Sequence, residues 1–140
     1  MNDGTIRALD VYTLSNSGAF GEHGPTTVGL SGHKSIPLYT NNLEAFKFSY
    51  DVVYTNCQAA GAYRGYGATQ GLFAVESIVS EMAGILGIDP VVIRERNMVR
   101  QGQIMGAYYN EVAQACTLDK CMDHAKKLFD LGNKIKRYAS

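Results

Sequence analysis

The sequence predicts an α+β fold, an antiparallel or mixed sheet covered by amphipathic helices, and two patterns carry that expectation. Phe46, Phe48, Tyr50, Val52 and Tyr54 alternate with Lys47, Ser49, Asp51, Val53 and Thr55, the period of two of a half-buried strand. Leu72, Val75, Val79, Met82 and Leu86 recur every three or four residues, joined by Phe73, Ile78, Ala83 and Ile85, giving a mostly buried helix with a broad apolar face. Large side chains on one strand face need a helix or second sheet over them, so the Gln70–Leu86 helix is expected to cover that strand. A length of 140 residues suits one domain, and 46% hydrophobic composition is enough for a core.

The remaining elements follow in chain order. Asn2-Asp3-Gly4 is a hairpin-turn signal, and Thr5 to Leu14 reads as a strand in the same sheet with Ile6, Ala8, Tyr12 and Leu14 on one face. The strand that should precede the turn is missing, which predicts a chain starting in mid-domain. Ser15 to Pro37 carries Asn16, Gly18, Gly21, Gly24, Pro25, Gly29, Gly32 and Pro37, so it reads as a structured loop unless Thr26 to Ser31 forms a short helix. His23 and His33 have no acidic or cysteine partner at ligand spacing and are expected at the surface or in local hydrogen bonds.

Gly87 closes the long helix, and Asp89 and Pro90 cap and start another to about Asn97, with Arg94, Glu95 and Arg96 on its polar side. Glu76 and Glu81, five residues apart on a helix, point in different directions and are read as solvated rather than as an acid–base pair. Gln101 to Gln114, with Gly102 and Gly106, reads as a loop with an extended part near Tyr108 and Tyr109. Thr117 resembles an N-cap with Asp119 in the first turn. Leu118, Cys121, Met122, Ala125, Leu128 and Phe129 then make a packing stripe to about Leu131. Lys126, Lys127, Lys134, Lys136 and Arg137 suit the end of that helix and a solvated tail, with no aromatic platform among them for nucleic acid.

Composition excludes several functions. Lys plus Arg and Asp plus Glu are 13 each, so no global field draws the chain to nucleic acid or acidic lipid. No stretch reads as a membrane span or secretory leader, and a soluble, cytoplasmic protein is the expectation. Cys57, Cys116 and Cys121 lack metal-ligand spacing and are expected to be buried or inert thiols, with no cluster pattern among them.

Between the strand and the long helix lies Gly61-Ala62-Tyr63-Arg64-Gly65-Tyr66-Gly67-Ala68-Thr69-Gln70. Its glycines permit positive φ and close backbone approach to a ligand, while Arg64 and two tyrosines supply a fixed charge and aromatic faces. A helix N-terminus follows, which favours anionic groups. The same residues also suit a plain strand-to-helix connection with Arg64 in solvent. A P-loop is the weaker reading, because the loop lacks its lysine and Ser/Thr, and Gly65-Tyr66-Gly67 has no glycine three positions on.

Ala62-Tyr63-Arg64-Gly65-Tyr66-Gly67 with Gln70 resembles the signature of the molybdenum-binding subunit of the xanthine dehydrogenase and aldehyde oxidase family. The similarity extends to Asp3-Gly4-Thr5-Ile6, Ser15 to Gly21, Tyr54-Thr55-Asn56, Leu86 to Pro90 and Arg96-Asn97-Met98. It implies that residues 1–140 form a single partial domain, an internal segment of a larger molybdopterin-binding domain in a molybdenum hydroxylase. The implied chemistry is water-derived hydroxylation of a purine, an N-heterocycle or an aldehyde.

By this resemblance the backbone N–H of Arg64 approaches the molybdenum, while Arg64, Gly65, Gly67 and Gln70 belong to the cofactor loop. Tyr66 packs on the substrate ring, its hydroxyl free to bond a polar substituent. The cofactor implied is molybdenum-molybdopterin, with the cytosine dinucleotide form left open. The general-base glutamate and a glutamine-glycine motif near the metal would lie outside this segment, and iron–sulfur and FAD sites on other domains or subunits. A carbon monoxide dehydrogenase would need a cysteine in the loop after Arg64, and there is none. The isolated chain is therefore expected to bind no cofactor and to self-associate through uncovered apolar faces. Its partners would be the rest of the molybdenum subunit, the iron–sulfur and FAD subunits and a small-molecule substrate. The other class of reading is a non-catalytic domain that keeps the fold as an interaction or assembly module.

Overall fold

The computed structural model describes residues 2–138. Strands β1 (Ala8–Asn16) and β2 (Ala45–Val53) pair in parallel with Val11 opposite Phe48. Parallel neighbours need a long crossover. Here it carries helix α1 (Gly24–Ser35), which runs into a 3-10 turn at Ile36–Tyr39.

Where a structured loop was expected, α1 therefore makes three turns. Pro25 occupies its first turn, where a missing N–H costs nothing. Its glycines are contact points rather than breakers. A Cβ on Gly32 would overlap the Phe48 ring, and one on Gly24 would lie 2.9 Å from Ser17 Cβ and 3.1 Å from a Val52 methyl carbon. Tertiary packing here outweighs the roughly 1 kcal/mol that each helical glycine costs.

The register puts Leu9, Val11, Thr13 and Ser15 on the same side as Phe46, Phe48, Tyr50 and Val52, facing α1. The expected inner face of β2 is thus correct, although Phe46 and Tyr50 stay nearly half exposed, and Tyr54 lies past the strand and packs on Gly21. The expected face of β1 is wrong by one residue: Tyr12 and Leu14 are 60% and 63% exposed, and the Tyr12 hydroxyl donates to Asp51 on the outer side at 2.8 Å. Ile6, buried at 5%, precedes the strand and follows a different rule. The Asn97 side chain accepts from its amide at 2.8 Å and donates to Gly4 O at 2.7 Å. At residues 2–5 the Asp3 carboxylate accepts from the Thr5 amide and hydroxyl, a side-chain turn in place of the expected hairpin.

Helix α2 (Ala68–Leu86) covers α1 instead of the sheet. Its buried residues, Gly71, Val75, Val79 and Ala83, recur at every fourth position, a narrower stripe than the sequence suggests, while Phe73 and Ile85 are both 77% exposed. Gly87, with φ of +65°, ends α2, and the Asp89 carboxylate accepts from Val91 N at 2.7 Å to cap α3 (Pro90–Asn97), as expected. Glu76 is not simply solvated. Its carboxylate accepts from the buried Tyr39 hydroxyl and pairs with Arg94 at 2.7 Å, which ties α2 to the 3-10 turn and to α3. Burial and this carboxylate push the Tyr39 hydroxyl well above the usual tyrosine range.

Residues 104–112 form a small hairpin, β3 (Ile104–Met105) and β4 (Glu111–Val112). Tyr108 and Tyr109 lie in its turn, not in an extended segment, and Tyr109 and Asn110 adopt φ of +53° and +58°. His33 of α1 stacks on Tyr108 at 4.7 Å between ring centroids and meets Tyr109 edge-on at 4.6 Å. Among the described residues neither buried ring nitrogen of His33 has a hydrogen-bond partner, and burial holds its pKa below the ordinary histidine value.

Helices α4 (Leu118–Leu128) and α5 (Leu131–Tyr138) follow. The α4 stripe forms as expected, but none of its residues is buried. Leu118, Cys121, Met122 and Ala125 line an open groove with Leu38 and Met98, so Cys121 is exposed rather than packed. Cys57 is exposed too, and Cys116 is half-buried with its thiol on Val99 O at 3.4 Å, so only one of the three thiols is even partly sheltered. Thr117 stands at the N-cap of α4 without a side-chain hydrogen bond. Where a solvated tail was expected there is α5; the side chains of Lys136 and Arg137 lie outside those described.

Two measurements probe this packing. Gly71→Ala places a Cβ inside contact of the Ser31 carbonyl, whereas Gly84 in the same helix has nothing within 4 Å. Urea unfolding should show Gly71→Ala destabilised by about 1–3 kcal/mol or more and Gly84→Ala stabilised by about 0.5–1 kcal/mol; equal effects would contradict the close helix contact. His33 is neutral in its site, so the stability it contributes is complete above the ordinary histidine value and is lost as pH falls through its depressed pKa. The stability difference between the protein and His33→Phe should therefore shift toward the variant on acidification from about pH 7 to 5.

Candidate functional site

The loop joining β2 to α2 is built from its backbone outward. Gly65, Tyr66 and Gly67 take φ of +88°, +47° and +90° in succession, and only the middle one bears the cost of a side chain in that region. Two hydrogen bonds fix the turn: Tyr66 N donates to Tyr63 O at 2.8 Å, and Ala68 N donates to Gly65 O at 2.9 Å. Gly67 is buried because it meets α1, and a Cβ there would overlap the Thr27 carbonyl. Its glycine is thus explained by helix contact. Gly65 is exposed, and a Cβ there would lie 2.8 Å from the Thr69 methyl.

Arg64 is exposed and forms no ion pair among the described residues, and its amide N–H takes no acceptor among them. The first turn of α2 holds no acidic residue, and Gly67 gives no side-chain cap. The Thr69 and Gln70 amides likewise have no backbone acceptor among the described residues. Gln70 is exposed on that turn, accepts from the Thr69 hydroxyl at 2.9 Å, and lines a cleft of about 290 Å³ with Gly67, Thr27, Ser31 and the end of β1. Arg64, Gly65 and Gln70 therefore share one short stretch of surface at a positive helix end, with Gly67 buried beneath it against α1.

Tyr66 is half-buried beside this stretch, and its hydroxyl is not free: it lies 3.0 Å from His23 Nδ1. The rings meet at 67° with centroids 6.1 Å apart. His23 is at the surface, as one of its two expected settings has it, but its hydrogen bond is not local: the partner, 43 residues away, has no sequence signal. Glu22, with φ of +23°, brings its carboxylate to 3.4 Å from where a Cβ on Gly61 would stand.

Among the described residues no group of three or more His, Cys, Asp or Glu side chains could hold a metal ion. The donors here are amides at a helix N-terminus, which suit the oxygens of an anionic organic group. Among the described residues no single helix is long and apolar enough to cross a membrane.

Residues 1–98 match the family model of the molybdopterin cofactor-binding domain. The chain is 40% identical over 128 residues to the xanthine dehydrogenase molybdenum-binding subunit of Escherichia coli O157:H7, covering 91% of this chain and 17% of that protein. Among solved structures it resembles the aldehyde oxidoreductase of Desulfovibrio gigas, with a TM-score of 0.78, 25% identity, and coverage of 98% of this chain and 15% of that one. The carbon monoxide dehydrogenase of Oligotropha carboxidovorans shares the fold, with a TM-score of 0.81 at 21% identity over 97% of this chain and 17% of that one. The chain thus spans about a sixth of the length of these relatives.

Proposed function

Because the chain belongs to the molybdopterin cofactor-binding domain family, we propose that it supplies a cofactor and substrate loop to a molybdenum hydroxylase. The observation that carries this reading is the loop at 63–67, in which three consecutive positive-φ residues follow an Arg64 amide that has no acceptor among the described residues, beside the open first turn of α2. Arg64 would present its backbone N–H to the cofactor, while Gly65 and Gly67 would keep the backbone close, and Gln70 would contribute from the first turn of α2. Tyr66 offers a ring face to a flat substrate. The bound molybdenum-molybdopterin supplies C–H hydroxylation with oxygen from water; the protein supplies oriented donors and a surface that excludes water.

The name of the similar Escherichia coli subunit, xanthine dehydrogenase, supports a purine or related N-heterocycle as substrate, with an aldehyde as the other class. In this reading residues 1–140 are one part of a larger molybdopterin-binding domain. The general-base glutamate, the remaining cofactor loops, the iron–sulfur and FAD centres and the choice between molybdopterin and its cytosine dinucleotide form belong to the rest of a cytoplasmic assembly. One loop cannot enclose a cofactor that has phosphate, dithiolene and heterocycle.

The test uses the complete enzyme containing this segment, loaded with metal. Arg64→Pro, which deletes the amide proton, should lower activity more than Arg64→Ala, and Tyr66→Ala more than Tyr66→Phe. The reverse order in folded, molybdenum-loaded variants would overturn the assigned roles. The 140-residue chain purified alone should carry no molybdenum by mass spectrometry and show no xanthine or aldehyde oxidation with an artificial acceptor; stoichiometric metal with turnover would contradict the division of the site.

A further inference from the structure

We propose that His23 is a positioning residue for Tyr66: its imidazole takes the tyrosine hydroxyl and fixes the ring that faces the substrate. The proposal rests on the reading of Tyr66 as the substrate-facing ring. The contact itself is on the page as a 3.0 Å hydrogen bond to His23 Nδ1 and an edge-on ring approach at 67°.

Both partners are held from behind. His23 stands at the N-cap of α1, between Gly21 and Gly24. Gly21 has φ of +73° and lies where any Cβ would come within 2.8 Å of the Tyr54 ring, and Gly24 is buried against Ser17 and Val52. The His23 carbonyl accepts from Thr27 N at 2.9 Å, and the Thr27 carbonyl is the atom that Gly67 touches. The first turn of α1 therefore links the backbone of His23 to that of the residue after Tyr66. Two positions 43 apart in sequence are brought together by contacts with no room to slide.

Tyr66 needs such a partner. Its φ of +47° is unfavourable for a residue with a side chain, and Gly65 and Gly67 on either side supply no side chain to pack against its ring. The hydrogen bond to His23 sets the ring plane and occupies one of the hydroxyl's bonding directions. With that direction taken the hydroxyl is less available to a substrate, and the fixed ring offers it chiefly a π-face. This predicts a preference for flat, electron-poor rings over substrates that need a hydrogen bond at that point.

Two measurements test the proposal. In the protein labelled with ¹⁵N-histidine, Tyr66→Phe should shift the His23 Nδ1 resonance while leaving His33 and His124 unchanged. An unmoved His23 signal would overturn the proposal whatever the enzyme does. In the complete molybdenum-loaded enzyme, with xanthine, hypoxanthine, nicotinate and benzaldehyde as test substrates, His23→Ala should raise KM for the preferred ring about tenfold with kcat within about twofold. His23→Gln, which keeps a hydrogen-bonding group, should recover part of that loss. The double variant His23→Ala with Tyr66→Phe should be no worse than the more damaging single variant, since His23 acts through the hydroxyl. Additive losses, or a fall in kcat at unchanged KM, would overturn the positioning role. If Tyr66→Ala and Arg64→Pro leave turnover intact, the functional reading fails; if they abolish it while His23→Ala has no effect, this inference alone fails.

Discussion

The contact on which this fold depends is the seating of α2 on α1 with no side chain between them. Gly67 and Gly71 lie one helical turn apart and rest on the carbonyls of Thr27 and Ser31, also one turn apart, where a Cβ would overlap carbonyl oxygen. Because the neighbour at each point is backbone, nothing can swing aside to admit a larger residue. On its other side α1 meets the sheet in the same manner, with Gly32 against Phe48 and Gly24 against Val52. A single helix is thus clamped between sheet and helix by glycines on both faces. The N-terminal turns of α1 and α2 are brought together as a consequence, and the candidate site is where they meet.

Polar contacts then close the other end of the molecule. Asn97, fully buried, accepts from Ile6 N and donates to Gly4 O and Ile93 O, so the segment before β1 is tied to the end of α3. Deleting that side chain would strand buried backbone groups at a cost of about 1–3 kcal/mol each. Glu76 serves a similar purpose for the 3-10 turn, joining Tyr39 to Arg94, and Arg94 also donates to Ser80 at 2.8 Å. The clamp sets how close the helices lie, and these side chains set which residues enter them.

The long apolar period of α2, the alternation of β2 and the Gly87-x-Asp89-Pro90 stop-and-start were all legible in the sequence, because each is a local pattern that the final packing preserves. Helix α1 was not, since its glycines and Pro25 read locally as breakers and acquire their meaning only from Phe48, Ser17 and Val52 across the crossover. The face of β1 was misread for a related reason. Tyr12 and Leu14 are apolar enough to suggest a core, yet the parallel register with β2 assigns the inner, half-buried face to Leu9, Val11 and Thr13. The loop at 61–70 was legible as a candidate site through its glycines and its arginine, but the partnership of Tyr66 with His23 depends on two helix N-termini meeting, which no spacing in the sequence encodes.

The glycines of the loop now separate into two kinds. Gly67 serves α1, whereas Gly65 is exposed and is tight against Thr69 of the helix that follows it, so the loop is rigid on the side that meets the fold and unobstructed on the side that presents the Arg64 amide. That division suits a donor which must be oriented before charge develops on a ligand, because the orientation is set by helix packing already completed in the folded chain. The apolar surface tells the same story at larger scale. Tyr12, Leu14, Phe73 and Ile85 remain exposed, as do Leu118, Cys121, Leu128 and Phe129 of the α4 stripe, while the buried residues concentrate between α1, α2 and α3. The packing that orients the loop is therefore internal to this chain, and the uncovered surface is where further contacts would complete a pocket around it.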